Sequence, residues 1–233
     1  MNDPKIIVAL DYDDRVAVER LLSKLTPGEC RVKVGKELFT LFGPDIIKFI
    51  QDSGFEVFLD LKFHDIPATV RKACKAASRL GVWMLNVHAL GGREMLHAAR
   101  EGVEESNHKP KLIAVTILTS SNMKDIHQIG LHGEVSENVN RLASLVHDAR
   151  LDGVVCSAQE ANMIRKVTND EFILVSPGIR PTGSQNNDQK RVLTPKEALD
   201  NGASYLVVGR PITQAENPNK VLQDINRELE NSM

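Results

Sequence analysis

Residues 56–88 read EVFLDLKFHDIPATVRKACKAASRLGVWMLNVH, and this stretch predicts a strand, a helix and a second strand. Residues 56–60 and 83–88 are rich in apolar side chains, as in strands that are covered on both faces. Pro67 suits the first turn of the helix between them, and Gly81 suits its end. The apolar positions of that helix recur at helical spacing and are Val70, Ala73, Ala77 and Leu80.

The same strand–helix unit recurs along the rest of the chain. The other predicted strands span residues 5–10, 31–34, 112–117, 153–156, 172–175 and 205–208. Eight such units in 233 residues predict an α/β fold, a closed (β/α)8 TIM barrel that forms a single domain over residues 1–233. An open doubly wound sheet is the alternative, although no G-x-G-x-x-G motif follows the first strand.

Composition and charge exclude several classes of function. The net charge of −2 at pH 7 provides no excess of positive charge for a nucleic acid or an anionic membrane surface. Aromatic residues make up 4% of the chain, too few for a base-stacking surface, and no apolar stretch approaches the ~20 residues of a membrane helix. Cys30, Cys74 and Cys156 lie far apart, and no signal segment opens the chain, so we expect a cytoplasmic protein with reduced thiols.

Charged residues lie at the ends of the first three strands. Asp60 and Lys62 are two residues apart, so an extended strand would present both on one face, roughly 6–7 Å apart. Lys33 in the neighbouring second strand could reach Asp60, and Asp11 follows the first strand. Because catalytic residues of barrel enzymes lie at the carboxyl ends of the strands, these four charges predict an active site rather than solvated loop residues.

Alternating lysines and aspartates have a clear chemical use. Opposite neighbours hold each group ionised, so a lysine between aspartates stays protonated and can donate a proton. An aspartate can also face a substrate carboxylate, and two like charges at 4 Å repel by about 4 kcal/mol at an effective dielectric constant of 20. Loss of neutral CO2 would relieve that repulsion, which is one candidate contribution to catalysis.

A second group of residues predicts a phosphate site. Residues 176–180 follow the seventh strand and residues 209–212 follow the eighth, the two places where barrels often bind phosphate. Gly209 lets the backbone approach a ligand closely, and Arg210 and Arg180 supply guanidinium donors. The long polar segment 181–190 is either a disordered loop or a lid over the site.

Together these motifs closely resemble the orotidine 5′-phosphate decarboxylase family of the bacterial type. The matching segments are residues 8–11, 32–35, 58–67, 86–88, 115–120, 176–180 and 208–212. The most specific is D-x-K-F-H-D-I-P at residues 60–67, and the segments span nearly the whole chain in the family's order and spacing.

The resemblance implies a role for each residue of the charged array. Lys62 would protonate C6 of the pyrimidine as CO2 leaves, with Asp60 beside the departing carboxylate. Lys33 would bridge Asp60 and the ribose hydroxyls, and Asp11 would also bind the ribose. Thr119 would contact the substrate near the base and the ribose.

The resemblance also implies a homodimer with shared sites. Asp65 would complete the charge array in the partner's site, and Ile66 and Thr69 would contribute from the same loop. The residues expected around the phosphate are Pro177, Arg180, Gln189, Gly209 and Arg210. The implied substrate is orotidine 5′-monophosphate and the product is UMP, in the last step of de novo pyrimidine synthesis. No metal and no organic cofactor are implied.

Two other functions stay open. The chain also resembles magnesium-dependent sugar-phosphate lyases of the 3-keto-gulonate 6-phosphate decarboxylase type, which share the D-x-K-x-x-D strand. As that resemblance goes, they carry an acid where this chain has Lys33, and a lysine there would repel Mg²⁺. A metal held by His64, His88 and nearby aspartates belongs to the same alternative. A non-catalytic phosphosugar-binding barrel would keep Arg210 but has no reason to keep an adjacent lysine–aspartate pair.

Overall fold

The computed structural model describes residues 3–181 and 193–230. Within these residues, eight parallel strands pair in chain order and close into a barrel. The strands are β1 Ile6–Leu10, β2 Arg31–Gly35, β3 Val57–Phe63, β4 Met84–His88, β5 Lys111–Val115, β6 Gly153–Val155, β7 Ile173–Ser176 and β8 Tyr205–Val208. The predicted TIM barrel is confirmed, and the open-sheet alternative is wrong because β1 pairs with β8 as well as with β2.

Helices alternate with the strands. They are α1 Arg15–Leu22, α2 Lys36–Phe42, α3 Pro44–Asp52, α4 Pro67–Ser78, α5 Gly92–Glu104, α6 Met123–Gln128, α7 Val135–Asp148, α8 Ala161–Arg165, α9 Pro195–Asp200, α10 Arg210–Thr213 and α11 Pro218–Glu230. Local sequence sets several of their starts: Asp14 caps α1 by accepting from Val16 N and Ala17 N, and Pro67 occupies the first turn of α4. Among the described residues, every helix is too short or too polar to cross a lipid bilayer.

The core consists of an inner and an outer part. The inner cluster, inside the barrel, comprises Ile7, Ala9, Phe58, Met84, Ile113, Ile173, Val175, Tyr205 and Val207. Val57 and Leu59 belong to the outer cluster between strands and helices, whereas Phe58 between them points inward. Asp60, two residues beyond Phe58, therefore lies on the inward face.

A buried arginine closes the amino end of the barrel. The Arg31 guanidinium lies 4.0 Å from the ring centroid of Trp83 and donates to Asp3 Oδ1 at 2.9 Å and Glu56 Oε2 at 2.8 Å. Tyr205 Oη also donates to Asp3, at 3.1 Å. Stacked and ion-paired side chains therefore occupy the amino end of the barrel in the part of the chain that the structure describes.

Helices α4 and α5 pack against each other more closely than side chains would permit. A Cβ at Gly102 would clash with the backbone carbonyl of Arg71, so the approach depends on glycine. At the edge of this contact, Arg71 Nε and Lys75 Nζ each donate to Glu105 at 2.7 Å. Because α4 follows the end of β3 after only three residues, the contact also fixes the segment that leads out of β3.

We expect Gly102→Ala to destabilise the fold. The added methyl group has no space against the Arg71 carbonyl, and such overpacking lowers the free energy of unfolding by about 1–3 kcal/mol. Urea denaturation followed by circular dichroism measures the change. His97→Ala, on the exposed side of the same helix, is the control and should leave the midpoint nearly unchanged. A Gly102→Ala midpoint equal to that of the control would contradict the close helix contact.

Candidate active site

Four charged side chains meet at the carboxyl ends of β1, β2 and β3. Lys33 Nζ lies 3.3 Å from Asp11 Oδ1 and 3.4 Å from Asp60 Oδ2, while Lys62 Nζ lies 2.6 Å from Asp60 Oδ1. The charges therefore alternate in the order Asp11, Lys33, Asp60, Lys62. The proximity of Lys33 to Asp60 expected from neighbouring strands is observed.

Asp60 is the buried centre of this array. Its side chain is 12% exposed, as is that of Lys33, whereas Lys62 is 25% exposed and Asp11 is 69% exposed. Burial alone would raise the pKa of Asp60, but the two ammonium groups and the hydrogen bonds from Lys62 and Asn86 hold that pKa below its usual range. Asp60 is therefore a carboxylate at neutral pH.

The backbone at Lys62 departs from the regular strand that alternation predicts. Lys62 has a φ of 55°, in the left-handed region that disfavours a lysine. The pairing of β3 with β4 also shifts between Leu59 and Phe63, so the strand is irregular where its charged residues lie. Lys62 consequently contacts Asp60 because its long side chain reaches back to the carboxylate. The contact does not arise from two side chains on the same face of a regular strand.

Asn86 is a functional candidate to which the sequence assigned no role. Its Nδ2 donates to Asp60 Oδ1 at 2.7 Å, and its Oδ1 accepts from the backbone N–H of Lys62 at 2.8 Å. The available signal was an amide side chain between the apolar residues Leu85 and Val87, two residues beyond the inward-facing Met84.

The array borders an apolar compartment of about 190 Å³. Lys33, Asp60 and Lys62 form its charged side, and Thr119 lies on its lining. Its aliphatic and aromatic walls are Phe58, Val115, Ile117, Leu118, Val155, Val175 and Val207. An apolar wall weakens solvent screening, so the charges on the other side act strongly on anything bound there.

A polar compartment of about 510 Å³ adjoins the apolar one, and the two share Lys33, Asp60, Pro177 and Val207. Its lining includes Asp11, Tyr12, Gly178, Arg180, Gly209 and Arg210. Shared walls make the two compartments one continuous cleft, with the charged array between them.

Two arginines converge on the polar compartment. Arg180 is buried and its Nη1 donates to the Ile179 carbonyl at 3.0 Å. Burial and the nearby charge of Arg210 lower the pKa of Arg180, so the two guanidinium groups repel each other. An anion between them would relieve that repulsion.

Tyr12, another residue that the sequence did not single out, donates from Oη to the Thr213 carbonyl at 3.2 Å and so joins the β1 loop to α10, which begins at Arg210.

The remaining predicted site residues fall into two groups. Pro177 and Thr119 line the cleft, whereas Asp65, Ile66 and Thr69 are exposed and lie outside the cleft linings among the described residues. The Asp65 carboxylate instead accepts from the Ile66 N–H at 2.7 Å. Gln189 and the rest of segment 182–190 lie outside the described residues.

His88 lies beside the array at the end of β4. Its ring centroid is 5.5 Å from that of His64, and burial, together with the nearby His64 and Lys62, lowers the pKa of His88 to about 4. His88 is therefore neutral at physiological pH. Within residues 3–181 and 193–230, no group of three or more His, Cys, Asp or Glu side chains is arranged to hold a metal ion.

The sequence family follows from comparison with known proteins. A model of the orotidine 5′-phosphate decarboxylase / HUMPS family matches residues 4–225. The chain belongs to this family. The resemblance inferred from the sequence motifs is thereby confirmed. The match to the orotidine 5′-phosphate decarboxylase / HUMPS family runs from β1 past β8 and includes the whole charged array as well as Arg180 and Arg210.

Individual relatives agree with the family match. A protein named orotidine 5′-phosphate decarboxylase from Hahella chejuensis is 55% identical over 99% of this chain and 99% of its own length. One of the same name from Hydrogenovibrio crunogenus is 56% identical over 97% of this chain and 96% of its own length. A crystal structure of orotidine 5′-phosphate decarboxylase from Lactobacillus acidophilus is 40% identical, with a TM-score of 0.86, over 97% of this chain and 99% of that one. The similarity to members of the orotidine 5′-phosphate decarboxylase / HUMPS family therefore extends over both sequence and fold.

Proposed function

We propose that this protein decarboxylates orotidine 5′-monophosphate to UMP and CO2, without metal or organic cofactor, as the last step of de novo pyrimidine synthesis. The observation that carries the proposal is one carboxylate, Asp60, between the ammonium groups of Lys33 and Lys62, at 3.4 and 2.6 Å. The array lies where an apolar compartment meets a compartment with two arginines. The family and its similarly named relatives support the same reaction.

The cleft can accommodate both ends of such a substrate. The phosphate dianion fits between Arg180 and Arg210, where Gly209 leaves the backbone open to close approach. Asp11 and Lys33 line the cleft between that pocket and Asp60, where they would face the ribose hydroxyls. The pyrimidine then enters the apolar compartment, whose walls are too apolar to solvate a carboxylate.

The charges suit the bond-breaking step. A substrate carboxylate beside Asp60 is repelled, and when the C6–carboxylate bond breaks, CO2 departs and the electron pair stays on C6. The Lys62 ammonium then transfers its proton to C6, and solvent reprotonates the lysine. With no cofactor to accept electrons, fixed positive charge close to C6 must stabilise the developing carbanion.

Lys33 argues against the magnesium-dependent alternative. Its ammonium lies within 3.4 Å of both Asp11 and Asp60, which places a positive charge between the carboxylates that a divalent cation would need. A hard cation prefers several oxygen ligands, and an ammonium beside them opposes its binding.

We further propose a homodimer in which Asp65 of each chain completes the other chain's site. Asp65, Ile66 and Thr69 are exposed, and none of them lines the cleft of its own chain as the described residues define it. Several large apolar side chains are also exposed after β3, β4 and β5, on adjoining parts of the rim. They are Ile66, Leu90, Leu118, Met123 and Ile129. Exposed apolar side chains that follow three adjacent strands are typical of a surface that another chain covers.

We place the enzyme in the cytoplasm. Cys30, Cys74 and Cys156 are free and buried, and burial raises the pKa of the Cys30 and Cys74 thiols to about 12. Unpaired thiols of this kind fit a reducing compartment.

We expect the purified protein to convert orotidine 5′-monophosphate to UMP in the presence of excess EDTA. The loss of the orotate absorbance in the ultraviolet measures turnover directly. Addition of Mg²⁺ should change the rate little, because Lys33 occupies the space between the carboxylates. Turnover of a sugar phosphate that requires Mg²⁺, with none of orotidine 5′-monophosphate, would instead support the magnesium-dependent lyases.

Lys62→Ala should lower kcat by at least about 100-fold, the lower end of what a positioned proton donor contributes. Its affinity for UMP, measured by calorimetry, should stay near that of the wild type because the arginines that face the phosphate are unchanged. Lys48→Ala, which removes an exposed lysine on α3, is the matched control and should keep full activity. A near-normal kcat in Lys62→Ala would exclude Lys62 as the proton donor.

Mixing inactive Lys62→Ala chains with inactive Asp65→Ala chains should restore activity. Each hybrid dimer then contains one site with Lys62 from one chain and Asp65 from its partner, so random exchange should restore about a quarter of wild-type activity. Turnover is measured after brief exposure to mild denaturant and dilution, with each variant alone as the control. Mixtures that stay as inactive as the separate variants would show that the sites are not shared.

A further inference from the structure

Asn86 lies inside the barrel and lines neither compartment of the cleft, as far as the described residues define it. Its side chain is fully buried on β4, two residues beyond Met84 of the inner cluster. A buried primary amide is a demanding group, since its donors and its acceptor all require partners. The partners of Asn86 are the two residues on which the proposed chemistry depends.

The first partner is the backbone of Lys62. The register pairs Phe58 with Met84 and Leu59 with Leu85, but the next pair is Phe63 with Val87. Four residue steps on β3 thus correspond to two on β4, and the extra residues form a bulge that includes Lys62.

A bulge removes the ladder partner of an N–H group. Here Asn86 Oδ1 replaces that partner, because it accepts from Lys62 N at 2.8 Å. The same hydrogen bond holds Lys62 at a φ of 55°, a conformation that a lysine adopts only where its surroundings impose it.

The second partner is the carboxylate of Asp60. Asp60 Oδ1 accepts from Asn86 Nδ2 at 2.7 Å and from Lys62 Nζ at 2.6 Å, while Oδ2 faces Lys33 Nζ at 3.4 Å. The amide therefore fixes the rotation of the carboxylate, so that one oxygen faces each lysine.

We propose that Asn86 is a positioning residue whose single amide fixes both the Asp60 carboxylate and the backbone of Lys62. It thereby sets the place of the proton donor relative to the group that leaves. This inference rests on the proposed decarboxylation, which assigns those roles to Asp60 and Lys62. Asn86 touches no substrate in this account and acts only through the two residues that do.

Asparagine has a side-chain hydrogen-bond donor that an ionised aspartate lacks, and this difference tests the proposed role. Asn86→Asp keeps the shape of the side chain and its acceptor for Lys62 N–H, but it loses the donor to Asp60 and adds a second carboxylate beside it. Two adjacent carboxylates raise the pKa of one of them, so a proton returns to the pair as the pH falls. That proton restores a donor between residues 86 and 60.

The charged and titratable groups around position 86 set the range of this effect. They are Asp60 and Lys62 on β3, Lys33 on β2, His88 on β4 and His64 in the segment after β3. The two lysines favour ionised carboxylates and oppose the shared proton, so we expect the recovery only toward pH 5.

The experiment compares kcat, the KM for orotidine 5′-monophosphate and the affinity for UMP across pH 5–8. We expect Asn86→Asp to lower kcat roughly 10- to 100-fold at pH 8, the loss expected for a hydrogen bond to a charged group. The ratio of variant to wild-type kcat should rise as the pH falls, and UMP affinity should stay within about twofold, since the phosphate pocket is unchanged. Asn86→Ala loses both contacts and should stay impaired at every pH.

Asn138→Asp is the matched control. Asn138 is a buried amide on α7 whose Nδ2 donates to the His132 and Glu134 carbonyls, outside the cleft lining. The same chemical change there should lower the melting temperature without altering kcat or its pH profile. If Asn86→Asp does not fold, Asn86→Ala carries the test through its kcat loss and retained UMP affinity.

Several outcomes would overturn the inference. One is an Asn86→Asp enzyme with the wild-type kcat and pH profile. Another is a loss of kcat and UMP affinity together, independent of pH, which would indicate a merely structural amide.

A wild-type protein that does not turn over orotidine 5′-monophosphate would overturn the proposed function instead. The positioning role can then be read from the titration of Asp60 by ¹³C NMR. The pKa of Asp60 should rise in Asn86→Asp and not in Asn138→Asp, and an unchanged Asp60 pKa would exclude the contact.

Discussion

A single carboxylate inside the barrel, that of Asp60, determines the arrangement of the residues around it. An ionised group in this position is unfavourable unless neighbours compensate its charge and satisfy its oxygens. Lys33 and Lys62 supply the charge, and Asn86 with Lys62 supplies the hydrogen bonds. Because each of these groups contacts Asp60, the loss of any one would remove part of what compensates this buried carboxylate. The members of the array are therefore energetically coupled, and the effects of changing two of them should not add.

In the proposed function, the barrel separates two tasks that a single pocket would combine poorly. Binding of an anion needs strong positive charge, and Arg180 and Arg210 supply it after β7 and β8. Decarboxylation needs low solvation around the reacting group, and the aliphatic walls of the apolar compartment supply that. The charged array lies on β1 to β3, between the two. Attraction at the phosphate end can then offset an unfavourable contact at the carboxylate end.

Much of this arrangement could be predicted from sequence because it follows from periodicity. The apolar runs identified the strands, with differences at their ends such as the continuation of β3 to Phe63. Alternation within β3 put Asp60 on the strand face opposite Leu59, and the order of strands placed Lys33 within its reach. The motifs also identified the family correctly.

Other features depend on tertiary context and could not be predicted in this way. The bulge that turns Lys62 into the left-handed region arises from the register with β4, and periodicity assumes that such a register is regular. The double contact of Asn86 follows from the same shift, so an amide within an apolar strand gave only a weak signal. The exposure of Asp65 and Ile66 outside their own cleft likewise depends on how the end of β3 turns into α4.

The packed amino end of the barrel limits where small molecules can enter and leave the cleft. Arg31, stacked on Trp83 and paired with Asp3 and Glu56, occupies the amino end of the barrel in the described part of the chain, below Phe58 and Met84. In the proposed reaction, CO2 released in the apolar compartment would therefore leave through the opening by which the nucleotide enters. In the proposed mechanism, the water that reprotonates Lys62 would use the same opening, so CO2, UMP and solvent would all share one route.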